Sequence, residues 1–156
     1  MEKIVFLDID GVLNDNNTYI RERTPDGFCG IDDEKVLKLK EIIDRTGAKI
    51  VLMSSWKDFW KDKENPDSKY LTDKLAKFDL EIIDCTVDEW WNRGEGVLNY
   101  IEEYGIETYV LLDDEIFDDY KETVLLDHLV HTVEEVGITD EDVEEAIKIL
   151  GETKEV

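Results

Sequence analysis

The stretch Lys3-Ile4-Val5-Phe6-Leu7-Asp8-Ile9-Asp10-Gly11-Val12-Leu13-Asn14 decides the fold. Its apolar run, Ile4 to Leu7, meets acid at once and is too short for the hydrophobic segment of an export signal or for a membrane span. It reads instead as a strand over residues 3–9, covered on both faces. In an extended chain residues i and i+2 point the same way, so Asp8 and Asp10 are expected to put two carboxylates on one side. Gly11 then permits a sharp departure from the strand.

Working outward, residues 49–55 (KIVLMSS), 80–86 (LEIIDCT), 108–113 (TYVLLD) and 128–132 (HLVHT) read as four more short strands of continuous hydrophobicity. Between them lie helix-period segments: Val36, Leu39 and Ile43 after an Asp32 cap, then Leu71, Leu75 and Phe78, then Val97, Ile101 and Tyr104. Thr139, three residues before Asp142, predicts a capping-box start for a last helix bearing Val143, Ile147 and Leu150 on one face. Strands alternating with helices imply right-handed crossovers and an α/β three-layer sandwich, a parallel sheet of about five strands between helices. In such sheets the chemistry sits at the carboxyl ends of the strands.

The chain has 156 residues, with 41 Asp and Glu against 18 Lys and Arg and a formal charge of -23. That length suits one domain, residues 1–156, and buries roughly 70% of the surface of the unfolded chain. No repeat or Gly- or Pro-rich linker divides it. The hydrophobic content of 42% excludes an acidic disordered chain. The sign of the charge opposes broad capture of nucleic acid or anionic lipid, so a phosphorylated substrate must be met by a local cation. Cys29 and Cys85 lack paired spacing and read as reduced thiols in a cytoplasm.

Three of the strand ends are rich in oxygen ligands. Asp8 and Asp10 close the first, Ser54-Ser55-Trp56 the second, and Asp113-Asp114 the fourth. Carboxylates converging at one edge repel by roughly 4 kcal/mol per pair at 4 Å and an effective dielectric near 20. A hard divalent cation resolves this, and an all-oxygen donor set favours Mg²⁺ over zinc. One carboxylate beside such an ion can attack phosphorus, while a second protonates the leaving alkoxide and later deprotonates water.

Asp8-Ile9-Asp10-Gly11-Val12-Leu13 resembles the first motif of the haloacid dehalogenase (HAD) superfamily of phosphotransferases, an apolar strand followed by D-x-D-G-[TV]-[LV]. Ser54 matches its second motif, Arg93 in Asn92-Arg93-Gly94-Glu95 the third, and Asp113-Asp114 the fourth. The resemblance spans nearly the whole chain and implies a Rossmann-like sheet in the order third-second-first-fourth-fifth. It also implies that Asp8 is the phosphorylated nucleophile and Asp10 the acid/base, with the Asp10 backbone carbonyl on Mg²⁺. Ser54 would hold the phosphoryl oxygens and Arg93 neutralise them. Asp114 would complete the metal set with Asp8 and Asp10, Asp113 would support it, and Asp118 or Asp119 would lie further out.

In this superfamily a cap selects substrate. Here residues 14–31 leave room only for a flap, and one helix and one strand fill residues 55–93, so the pattern is similar to a capless form open to large substrates. The continuation Ser54-Ser55-Trp56-Lys57, Arg93-Gly94-Glu95 and the tail carrying Gly137-Ile138-Thr139 resembles the HAD domain of Swiss Army Knife RNA repair proteins. That resemblance implies removal of a 3'-end phosphate from RNA or DNA; a nucleotide or small phosphomonoester is the alternative substrate.

Several readings compete. A calcium loop fails because Val12, Leu13 and Tyr19 stand where it needs acid, glycine and acid. A phosphoacceptor receiver domain fails for want of a Lys after the fifth strand, which ends His131-Thr132. A non-catalytic acidic module for a protein partner is opposed by the concentration of mutually repelling carboxylates. Ser55 could replace Ser54, and Arg93 could merely pair near Glu95. Gly11, Ser55, Trp56, Arg21 and Arg23 are expected to face substrate, Trp56 by stacking on a base. Trp60, Trp90 and Trp91 read as packing residues, and His128 and His131 as non-catalytic. Residues 45–77 hold eight bases and five acids, suggesting a mildly cationic approach, whereas residues 113–156 hold 16 acids and three bases.

Overall fold

The computed structural model describes residues 2–89 and 91–153, so Trp90 lies outside the described residues. Five strands, β1 (Lys3–Leu7), β2 (Lys49–Leu52), β3 (Ile82–Cys85), β4 (Thr108–Asp113) and β5 (Leu129–His131), form one parallel sheet in the order β3-β2-β1-β4-β5. The helices are α1 (Thr18–Arg21), α2 (Asp33–Thr46), α3 (Lys57–Trp60), α4 (Pro66–Ala76), α5 (Arg93–Tyr104), α6 (Asp118–Lys121) and α7 (Asp140–Leu150), with a 3-10 turn at Val124–His128.

The two-residue period of β1 sorts its side chains into two cores. Val5 and Leu7 pack with Ile50, Leu52, Val110 and Leu112 beneath α2, α4 and α7, which contribute Val36, Leu39, Leu71, Leu75, Val143 and Ile147. Ile4 and Phe6 face the other way, onto Val51, Tyr109, Leu111, Val97 of α5 and Tyr120 of α6. Phe6 meets Tyr100 and Tyr109 edge-on. These are the three layers expected from a sheet whose central strands are apolar on both faces.

Thr139 and Asp142 form the expected reciprocal capping box: Thr139 Oγ1 accepts from Asp142 N at 3.2 Å, and Asp142 Oδ2 accepts from Thr139 N at 3.0 Å. The α4 start uses Asn65, whose side chain accepts from Asp67 N and Ser68 N, with Pro66 at the first helical position. That helix stops at Ala76, short of Phe78.

Two local expectations change. The first strand ends at Leu7 rather than residue 9, because Ile9 O accepts from both Val12 N (3.1 Å) and Leu13 N (2.8 Å), turning the chain immediately after Asp8. Residues 55–93 contain the four-residue α3 as well as α4 and β3, and residues 14–31 hold α1 and a tight turn. Among the described residues no large cap covers the sheet edge.

Candidate active site

Register brings distant carboxylates together. Leu7 pairs with Leu112 across β1 and β4, and Asp8 N donates to Leu112 O at 3.0 Å, so Asp8 and the Asp113-Asp114 pair emerge side by side. Asp8, Asp113 and Asp114 each offer a carboxylate oxygen within 4.8 Å of the others. Asp8 and Asp113 are buried, and Asp114 is half-buried.

Asp113 has no exposure and is filled by donors. Its Oδ2 accepts from Arg93 Nη1 and from Tyr120 Oη, both at 2.9 Å, and its Oδ1 accepts from Glu115 N at 3.0 Å. Arg93, the first residue of α5, also stands 3.4 Å from Asp8 Oδ1 through the same nitrogen, while its guanidinium stacks over Phe117 at 4.6 Å. Burial works against the Arg93 charge, but Asp8 and Asp113 outweigh it and hold the group protonated. The Asn92-Arg93-Gly94-Glu95 pattern therefore delivers its cation to the carboxylates rather than to Glu95.

Burial, reinforced by repulsion from Asp113, pushes the Asp8 carboxyl well above its ordinary range, against the opposing pull of Arg93. Burial likewise lifts Asp114, up to about 6. Both acids therefore hold their protons more tightly than free carboxyls do. A set of oxygen donors that resists losing its protons by burial and mutual repulsion fits a hard divalent cation. Gly11 leaves room for this arrangement: its φ is +80°, and a Cβ there would overlap Asp114 Oδ2.

Asp10 does not join the other carboxylates, contrary to the expectation of two parallel side chains from an extended strand. The turn at Ile9 rotates it toward Trp56 Nε1, which donates to Asp10 Oδ2 at 3.0 Å, and Asn14 Nδ2, which donates to Oδ1 at 2.9 Å. Asn14 is itself locked by Gly11 N, which donates to its Oδ1 at 2.8 Å, and by its own bond to Gly30 O. Asp10 thus sits exposed at the rim with both oxygens oriented.

The remaining expected residues divide. Ser54 is buried at the end of β2, its Oγ accepting from Trp56 N at 3.2 Å, whereas Ser55 is exposed. Trp56 presents no open face for stacking, being 5% exposed and tilted against Phe59. Arg21 pairs with Asp32 at 2.9 Å, and Arg23 lies over the Tyr19 ring at 4.4 Å, so the structure directs neither to the carboxylates. The basic excess of residues 45–77 is largely consumed by pairs, Lys57 with Asp88, Lys69 with Asp73, Lys74 with Glu22 and Asp33, and Lys77 with Asp33. Asp119 accepts from Glu95 N at the start of α5, serving that helix end rather than the carboxylate cluster.

Four contributors are not singled out from the sequence: Asn14, Tyr120, His131 and Thr132. Tyr120 holds Asp113, His131 Nε2 donates to Asp114 O at 2.8 Å, and Thr132 Oγ1 donates to Gly11 O at 2.7 Å. Only Asn14 lies within the opening motif, where an amide four residues after Asp10 could have suggested a local bond.

A family model described as the HAD domain in Swiss Army Knife RNA repair proteins matches residues 4–143. The chain belongs to this HAD domain family. Membership accords with the parallel order β3-β2-β1-β4-β5 and supports phosphatase-type chemistry. Neither a curated protein nor a solved structure matches the chain. Among the described residues no helix is long and apolar enough to cross a membrane.

Proposed function

We propose that this HAD domain is a Mg²⁺-dependent phosphomonoesterase that works through an aspartyl-phosphate on Asp8, with the 3'-terminal phosphate of RNA or DNA as its favoured substrate. The observation that carries the reading is the approach of Arg93 Nη1 to Asp8 Oδ1 at 3.4 Å inside a three-carboxylate cluster, since this pairs a buried nucleophile with a fixed cation for the phosphoryl oxygens.

Asp8, Asp114 and the Asp10 backbone carbonyl would hold Mg²⁺, with Asp113 supporting Asp114 and Arg93. The ion, when bound, offsets the charge of the carboxylates and of the phosphoryl group. An Asp8 oxygen attacks phosphorus as the ester P–O bond breaks, and the Asp10 carboxyl gives its proton to the departing alkoxide. Asp10, now a carboxylate, then takes a proton from the water that attacks the same phosphorus, releasing inorganic phosphate and restoring Asp8. Ser54 and Arg93 bind the transferring oxygens throughout. Trp56 and Asn14 keep Asp10 aimed without occupying all its lone pairs. The absence of a large cap supports a polymer end over an enclosed metabolite.

With Mg²⁺ the protein should hydrolyse an aryl phosphate, and Asp8→Asn should abolish turnover while leaving the circular dichroism unchanged. Equal turnover by the two proteins refutes the covalent route. A panel of 3'-phosphorylated RNA and DNA ends, mononucleotides and sugar phosphates tests the leaving group. Higher kcat/KM on mononucleotides or sugar phosphates than on ends overturns the polynucleotide assignment.

A further inference from the structure

Asp10 borders two openings of unlike character. One is lined by Asp10, Asp15, Asp114 and Glu134 and lies on the side of the carboxylate cluster. The other, a cavity of about 470 Å³, has Phe28 and Cys29 of the flap among its lining residues together with Trp56 and Phe59. Its volume is within the range of about 300–1,000 Å³ typical of small-molecule sites.

Phe28 is the distinctive part of that second cavity. It is 65% exposed, which alone would be unremarkable for a surface residue. Here, however, the ring is carried by a braced turn. Thr24 N donates to Phe28 O at 2.8 Å, Phe28 N donates to Thr24 Oγ1 at 3.0 Å, and Arg23 bridges Cys29 in antiparallel fashion. The turn is tied to the start of α4 by Asp67, 2% exposed, whose Oδ2 accepts from Thr24 Oγ1 at 2.9 Å and whose Oδ1 accepts from Asp26 N at 3.1 Å. The backbone that carries Phe28 is thus ordered in the free protein, which lowers the cost of recognition there.

Charge narrows the occupant. Asp10, Asp58 and Asp67 contribute to the lining and no Lys or Arg does, so a phosphate inside the cavity would be repelled. What fits inside it is an uncharged planar ring, whose reacting phosphate and link to the rest of the polymer stay outside. Asp10, which must reach the leaving oxygen, lies on the wall of the same cavity.

We infer that this cavity seats the terminal nucleoside of the substrate, its base stacked on Phe28 and its sugar oxygen beside Asp10. The inference rests on the polynucleotide reading above and adds to it that the last base is gripped without regard to the rest of the polymer. Aromatic stacking is tolerant of base identity, so the preference is for the presence of a base rather than for one sequence.

Binding separates this inference from the chemistry. Full-length Asp8→Asn protein with Mg²⁺ is titrated calorimetrically with a 3'-phosphorylated trinucleotide and with its counterpart lacking the terminal base. The base-bearing probe should bind about tenfold more tightly. Phe28→Ala in the same background should bring the two affinities within about threefold, and Phe28→Trp should restore the difference. Equal affinities, no measurable binding of either probe, or a preference undiminished in Phe28→Ala overturns the nucleoside site. Intact preference without turnover by the wild-type protein refutes only the proposed reaction, and turnover without preference refutes only the nucleoside site.

Discussion

Trp56 Nε1 donates to Asp10 Oδ2 at 3.0 Å across 46 positions of sequence. The bond links a residue two positions after Ser54 of the second motif to the proposed acid/base of the first, and Asn14 holds the other oxygen at 2.9 Å. A tryptophan that sequence alone assigns to substrate therefore acts on a neighbouring carboxylate, through its polar edge, while its ring is buried in the core.

Trp56→Phe keeps most of the packing and deletes the donor. Steady-state kinetics should show kcat reduced by about tenfold with KM changed less than about twofold, the pattern of a group that orients chemistry rather than binds substrate. A rise in KM at constant kcat would instead return Trp56 to the substrate wall.

Asp8→Asn should raise the stability of the metal-free protein at neutral pH even as it removes turnover. Burial and Asp113 both oppose charge on Asp8, and Arg93 retains its bond to Asp113 in the variant. A relief of about 1 kcal/mol corresponds to an increase of about 2–4 °C in Tm. A lower Tm measured by calorimetry would show that the Asp8–Arg93 attraction outweighs the repulsion.

The raised carboxyls also predict a pH dependence with a definite sign. Asp114, at about 6 in the folded protein against 3.8 ordinarily, binds its proton more tightly when folded, as does Asp8. Their contribution to metal-free stability is therefore fully present below the ordinary value and is lost as pH rises through about 6. Between about pH 5 and about pH 7.5 the metal-free wild type should lose stability relative to Asp114→Asn. Mg²⁺ should bind more tightly at the higher pH, where the displaced protons are already gone. Differential scanning calorimetry at the two pH values with and without Mg²⁺ checks both, and a Tm difference that does not change with pH contradicts the upward shift of these carboxyls.

Gly11→Ala should disable the metal response. At φ +80° a side chain costs on the order of 1–2 kcal/mol, and its Cβ must also displace the Asp114 carboxylate. The expected result is a lower Tm together with loss of the Mg²⁺-induced stabilisation seen in the wild type. Retention of that stabilisation would remove Asp114 from the metal set.

What the sequence by itself determined was local in origin. Ile4 to Leu7 had to form a strand buried on both sides, Thr139 and Asp142 had to cap a helix, and Asp8 followed by Gly11 had to mark a strand end able to turn. Each depends on side-chain type and on neighbours a few residues away, which pattern and spacing record directly. Even so, the turn at Ile9 shortened that strand and sent Asp10 away from Asp8, because two hydrogen bonds to one carbonyl outweighed the extended alternation.

Tertiary structure alone decided which charges meet. The Leu7–Leu112 register sets Asp8 beside Asp113, Tyr120 and Arg93 converge on one Asp113 oxygen, and Lys57, Lys74 and Lys77 find acids instead of lining a cationic approach. Coulombic forces and hydrogen bonds act through space over a few ångströms, irrespective of separation along the chain. Their partners are therefore chosen only once the sheet order has brought the strand ends together.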